Sequence, residues 1–141
     1  MQTFLPFADF KRTVRVLDYR RLGKQRVEAF QILKALQNPE NQWNNHPAVK
    51  MWIGYDAALT EYMNICIREW VRRGYVNTML MPLVKDYEKP NWLGDRRFHS
   101  AHRAALLYKD PQFYGAFNWK EEPKLSYIWP KSSYDVTDKS L

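Results

Sequence analysis

An all-α, compact helical bundle of a single domain is the fold class that this 141-residue sequence predicts. Three observations carry the expectation. Apolar residues recur at a period of 3.6 over long segments, an Asp or Pro stands at the start of each segment, and Pro or Gly punctuates the gaps between them. The length suits one hydrophobic core and is short for two. The domain is expected over residues 1–134, with a flexible tail over 135–141.

The first seven residues, MQTFLPF, read as extended chain, because Pro6 disfavours helix at Leu5 and Phe4, Leu5 and Phe7 are apolar enough to dock on the body. Asp9 is placed to cap a short helix over residues 10–17, and Asp18 a longer one ending near Gln37, before Asn38-Pro39. On that second helix Leu22, Ala29, Leu33 and Leu36 share one face, and Arg21, Lys24, Gln25 and Glu28 run along the adjacent stripe. Pro47 suits the first turn of a segment reading as helix to Arg73, with Gly54 as a break and Gly74 as its stop. Its apolar stripe is Leu59, Tyr62, Met63, Cys66, Ile67 and Trp70. Residues 75–94 have no clean period and read as loop. Asp95 is placed to cap a third long helix that stops before Asp110-Pro111, and the aromatic last thirty residues read as irregular chain packed on the helices.

The net charge of +7 points to a polyanionic partner, since surfaces that bind phosphate gain affinity by releasing counterions. Aromatic residues make up 16% of the chain, with six Trp and nine Tyr, so rings are available to stack on bases as well as to fill the core. The single Cys66 excludes an intrachain disulfide framework and a thiolate zinc cluster, and reads as buried filler. No apolar stretch approaches the ~20 residues that span a bilayer, and the N-terminus lacks the order of a signal peptide, so a cytoplasmic protein is expected.

Three constellations could carry chemistry. In RRLGKQRVEAF, Glu28 shares a helical stripe with Arg21 and Lys24, so a carboxylate could handle protons while the cations hold phosphate. On pattern alone a solvated helix face with a Lys24–Glu28 pair is the simpler reading. His46, His99 and His102 are the only histidines, and two of them sit one turn apart. No acidic or thiolate partner stands at a metal-ligand spacing, so no metal and no cofactor is expected. His99 or His102, beside Arg103, instead touches phosphate or caps a core aromatic. The third is the N-terminal amine of Met1. Free α-amines are neutral roughly a seventh of the time at pH 7, against about one lysine in a few thousand, which makes a fixed α-amine the better Schiff-base nucleophile. Glycine-rich phosphate loops, a GxSxG elbow and a Ser/His/Asp pattern are absent from the sequence.

With those residues in view, the chain resembles the pyrimidine-dimer DNA glycosylase superfamily, of the phage endonuclease V type, and is most similar to a bacterial and phage branch of it. The early frame is Leu17, Asp18, Arg21, Leu22 and Glu28, with Glu28 at the position of the family's catalytic glutamate. His46, Pro47, Lys50 and Trp52 follow, then Arg72, Arg73, Gly74 and Tyr75 at the end of a long helix, and an aromatic segment from Tyr114 to Trp119. The order covers roughly residues 1–78 and more loosely the rest.

The resemblance implies an all-helical fold with the N-terminal segment inserted between helices. It also implies a DNA glycosylase, with or without AP-lyase activity, that uses an N-terminal amine and the glutamate to excise a damaged or modified base from double-stranded DNA. A bulky Gln2 leaves the initiator methionine in place, so Met1 supplies the amine. Val27 and Gln31 stand where the family has arginines, and Arg21, Lys24 or Arg26 are the available replacements. The expected site is therefore Glu28 and Met1 as catalytic groups. The expected DNA contacts are Arg21, Lys24, Arg26, His46, Lys50, Arg72, Arg73, His99, His102 and Arg103. The competing readings are a non-enzymatic DNA- or RNA-binding module on the same basic surface, and a factor whose basic face meets an acidic protein.

Overall fold

Aspartates decide where most of the helices begin. Asp9, Asp18, Asp95 and Asp110 each accept a hydrogen bond from an amide in the following first turn, satisfying donors that the helix itself leaves free. A computed structural model describes residues 1–130, and the tail expected over 135–141 lies outside the described residues. The elements are α1 (Phe10–Val16), α2 (Tyr19–Gln37), α3 (Pro47–Lys50), α4 (Asp56–Arg72), α5 (Arg96–Lys109) and α6 (Pro111–Gly115). No strand occurs among the described residues, so the fold is all-α.

Two boundaries differ from the sequence expectation. The segment expected as helix from residue 48 to 73 is broken around Gly54, as its glycine suggests, but the break is wider than one residue: α3 stops at Lys50, turns follow, Gly54 adopts a φ of 85° that residues with a side chain rarely take, and α4 begins at Asp56. Helix α6 was not expected, because Asp110-Pro111 reads as a stop. The same two residues are also a capping Asp and a first-turn Pro, so one helix ends and the next begins at Asp110.

Helices α2 and α4 form the central pair. Leu22, Ala29, Ile32 and Leu33 of α2 join Leu59, Tyr62, Met63, Cys66 and Ile67 of α4 in one buried cluster. Cys66 is wholly buried, which pushes its thiol up to about 12 and leaves it as apolar filler. Where α2 meets the end of α4 the helix carries Gly23. A Cβ there would lie 3.0 Å from the Trp70 ring, so the glycine is what lets the indole approach α2 this closely.

The extended N-terminal segment is buried from Gln2 to Pro6 without a neighbouring strand to take up its backbone groups. Side chains from four helices do so instead. Gln25 of α2 accepts from the Phe4 amide at 2.8 Å and donates to the Gln2 carbonyl at 2.8 Å. The Tyr62 hydroxyl of α4 lies 2.8 Å from the Phe4 carbonyl. On α5, His102 Nδ1 accepts from the Leu5 amide, His99 Nδ1 donates to the Leu5 carbonyl, and Arg103 donates to the Pro6 carbonyl. Thr13 of α1 accepts from the Phe7 amide and donates to its carbonyl.

These contacts set both imidazole tautomers. An amide must donate, so His102 carries its proton on Nε2, which is buried without a partner among the described residues. His99 carries its proton on Nδ1, and its Nε2 accepts from the Gly94 amide at 2.9 Å.

Burial drives His102 down to about 3 from its ordinary 6.5, and the neighbouring His99 adds to the effect. The unfolded chain therefore binds a proton that the fold excludes. Stability from this group is full above about pH 6.5 and is lost as pH falls toward the folded value, with a slope of at most about 1.4 kcal/mol per pH unit. We expect the urea midpoint to drop between pH 7 and pH 5. In His102→Gln it should start lower at pH 7 and change less; equal pH dependence in both proteins would contradict this account of His102.

Candidate active site

Because the segment is gripped from Gln2 onward, its first residue comes to rest in an open cavity of about 530 Å³. That volume lies within the range of small-molecule sites, roughly 300–1,000 Å³. Met1, Gln2 and Phe4 line one side. Arg20, Arg21, Lys24, Gln25 and Glu28 from α2 line another, and Lys109 at the end of α5 adds a further cation. The remaining wall is aromatic: Tyr127, Trp129 and His46, with the Trp129 and His46 rings edge to face at 6.1 Å. His46 is held in place by capping α3, its Nδ1 accepting from the Ala48 amide.

Gln25 joins the segment to the carboxylate. Its two amide hydrogens go to the Gln2 carbonyl and to Glu28 Oε2, the latter at 3.0 Å, and its oxygen accepts from the Phe4 amide and lies 2.6 Å from the Tyr62 hydroxyl, which shares its one hydrogen between this oxygen and the Phe4 carbonyl. All four hydrogen-bonding positions of the side chain are used, and the residue is fully buried. The orientation of Glu28 and the path of residues 2–4 are thus set by one group.

Burial raises the Glu28 carboxyl above the ordinary glutamate range. The charged N-terminus, Lys24, the Gln25 hydrogen bond and Lys109 oppose that rise without cancelling it. Desolvation and the same N-terminal charge hold His46 below its usual value, so this ring favours the neutral form. At the mouth, Arg21 is paired to Asp18 at 3.1 Å. Burial works against the Asp18 carboxylate, yet hydrogen bonds from Tyr114 and Arg21 hold it below the ordinary range. A single partly buried carboxylate therefore faces a primary amine among arginines and lysines. That arrangement defines a site able to do amine and proton chemistry on an anionic ligand.

A family model described as pyrimidine dimer DNA glycosylase matches residues 1–83, more than half of the chain, and the protein belongs to that family. Membership makes DNA its partner and base excision in DNA repair its class of activity. No curated protein and no solved structure matches the chain. No helix among the described residues is long and apolar enough to cross a membrane.

Of the residues expected from the sequence, Met1, Arg21, Lys24, Glu28 and His46 are brought together in this cavity. The others are not. Arg26 turns toward α4, with its guanidinium 4.2 Å over the Trp70 ring. Arg72 and Arg73 both bind Glu69, and Arg73 also donates to the Val14 and Arg15 carbonyls at the end of α1. Arg103 is tied to Pro6 and Glu121. Lys50 is exposed at the end of α3, outside the cavity lining. His99 and His102 lie outside the cavity lining and are buried, with Nδ1 of each ring bonded to the Leu5 backbone.

Sequence reasoning missed Gln25 as a linker, and missed Gln2, Phe4, Arg20, Lys109, Tyr127 and Trp129 as lining. Gln25 stands three residues before Glu28, a spacing that brings side chains together on a helix, but nothing in the pattern says that it faces inward. The walls from α5 and the C-terminal segment come from more than eighty residues away and leave no local signal.

Replacing Gln25 with Leu preserves bulk but strands the Phe4 amide and the Gln2 carbonyl. Each buried orphan costs about 1–3 kcal/mol, so we expect a loss of several kcal/mol in denaturant unfolding, far above that of an exposed substitution such as Gln31→Leu. Removing a cation from the cavity moves Glu28 in a defined direction. In Lys24→Ala the Glu28 carboxyl should titrate at higher pH than in the wild type, as read by carboxyl NMR, and a downward shift would refute the electrostatic account.

Proposed function

We propose that the protein removes damaged bases from DNA, pyrimidine dimers being the first substrate class to test, with the Met1 amine as nucleophile and Glu28 as the group that manages protons. One observation carries the reading: a terminal amine and a carboxylate of raised pKa share one cavity, joined through Gln25.

The chemistry follows from that pairing. The neutral amine donates its lone pair to C1′ of the deoxyribose as the glycosidic bond breaks, and the base departs with the bonding electrons and takes up a proton. A carboxyl group raised by burial holds a proton more readily than an ordinary glutamate and is suited to deliver it, and once ionised it stabilises the positive charge developing on the sugar. Opening of the sugar ring leaves an imine between Met1 and C1′. Loss of a C2′ proton then expels the 3′ phosphate by β-elimination, which gives the lyase step. Arg20, Arg21, Lys24 and Lys109 neutralise phosphates around the extruded nucleotide, and neither a metal nor an organic cofactor enters the scheme.

The test separates binding from turnover. Glu28→Gln keeps the shape of the side chain, so DNA affinity should remain while base release from dimer-containing duplex falls about 10²–10⁴-fold. A surface ion pair contributes under about 1 kcal/mol, and losing one would hardly change the rate. If Glu28→Gln releases base at close to the wild-type rate, this site is not the catalytic one.

A further inference from the structure

On the side of α2 away from the cavity, aromatic rings and guanidinium groups form a ladder that the glycosylase chemistry does not use. The Trp70 and Tyr75 rings stack at 4.2 Å with their planes 24° apart. Tyr19, the first residue of α2, continues the series at 6.3 Å from Tyr75 and the same angle. Arg26 closes the inner end over Trp70. At the outer end the Arg20 guanidinium lies 5.6 Å from the centre of the Tyr19 ring, and its Nε donates to the Tyr19 hydroxyl at 3.0 Å.

The inner rungs are fixed and the outer ones are open. Trp70 is held by Gly23 beneath it and by its own hydrogen bond to the Val76 carbonyl at 2.9 Å. Tyr75 follows Gly74, whose φ of 97° turns the chain back over the indole. Tyr19 is 50% exposed and Tyr75 39%, and their ring centres are more widely spaced than those of Trp70 and Tyr75. Rings in a hydrophobic seam are buried; these two are partly open to solvent at the edge of a basic helix.

We infer that Tyr19 and Tyr75 form a stacking platform for one unpaired nucleobase of bound DNA, with Arg20 moving from the tyrosine hydroxyl to an adjacent phosphate. Three features select this occupant. Flat π surfaces accept any base, the flanking guanidinium groups complement a phosphate backbone, and Arg20 also lines the Glu28 cavity, so the platform is continuous with the site. On α2, Tyr19 and Gly23 lie toward one edge and Lys24 and Glu28 toward the other, separated by about 10 Å, the width of a helix. One strand crossing α2 can therefore place a nucleotide in the cavity and a neighbouring unstacked base on the ladder. The inference rests on DNA being the ligand and not on base excision.

The experiment uses the full chain carrying Glu28→Gln, so that nothing is turned over. Its probes are a fully paired duplex and the same duplex with a two-nucleotide bulge containing 2-aminopurine. The parent should bind the bulged duplex more tightly and quench its fluorescence. Adding Tyr19→Leu and Tyr75→Leu should weaken bulge binding by at least about fivefold and abolish the quenching, leaving paired-duplex affinity and its salt slope unchanged. Equal binding of both probes by the parent would overturn the inference, as would a double variant that keeps the preference. An equal loss on both probes would do the same, because it marks general damage to the surface. Should no DNA ever yield base release, the glycosylase reading fails while this result stands, and the two are judged separately.

Discussion

The buried amide of Gln25 is the interaction on which the rest of the structure depends. An extended segment buried with no strand beside it must find a partner for each amide and carbonyl, or lose more free energy than its apolar side chains contribute. Gln25 meets that demand at Gln2 and Phe4 together, and His99, His102, Tyr62, Arg103 and Thr13 meet it further along. The N-terminus is normally the freest part of a chain. Here it is fixed to within a residue of its end, and the constraint that holds it also holds the carboxylate it faces.

Function follows from how charge is distributed around that fixed point. Burial pushes the Glu28 carboxyl up while the amine, Lys24, the Gln25 hydrogen bond and Lys109 pull it back without cancelling the rise, so it holds a proton more readily than an ordinary glutamate. Desolvation, helped by the same N-terminal charge, holds His46 below its usual value, so the aromatic wall favours a neutral ring beside the carboxylate. The surrounding arginines and lysines match a phosphate backbone, and the family assignment says that this backbone is DNA. Two of the arginines beyond the cavity hold the fold together: Arg73 fastens the end of α1, and Arg103 fastens Pro6.

Helices were legible in the sequence wherever one residue type has one local job. Asp18, Asp95 and Pro47 announce the starts of α2, α5 and α3, and the stripe from Leu59 to Ile67 announces the buried face of α4. Glu28 was legible as a candidate because it stands alone among cations and because its surroundings resemble a known frame. The division of labour among cations was not legible. Arg21 and Arg26 look alike in sequence, yet one faces the cavity and the other packs on Trp70, a difference set by the α2–α4 contact. The two roles left open for His99 and His102, phosphate contact or capping a core aromatic, could not be separated for a related reason: both rings pack on Phe98 and bond to Leu5, a placement set by the inserted segment. Asp110-Pro111 shows the local limit, since a stop and a start are written with the same two residues.

The central claim is that the terminal amine itself attacks the sugar. Borohydride reduction during turnover of dimer-containing DNA measures this most directly, because it converts an imine into a stable secondary amine. The account predicts a covalent protein–DNA adduct that maps by peptide mass analysis to the α-nitrogen of Met1, and no adduct when that nitrogen is blocked. Base release without a trappable adduct, or an adduct on Lys24 or Lys109, would contradict it.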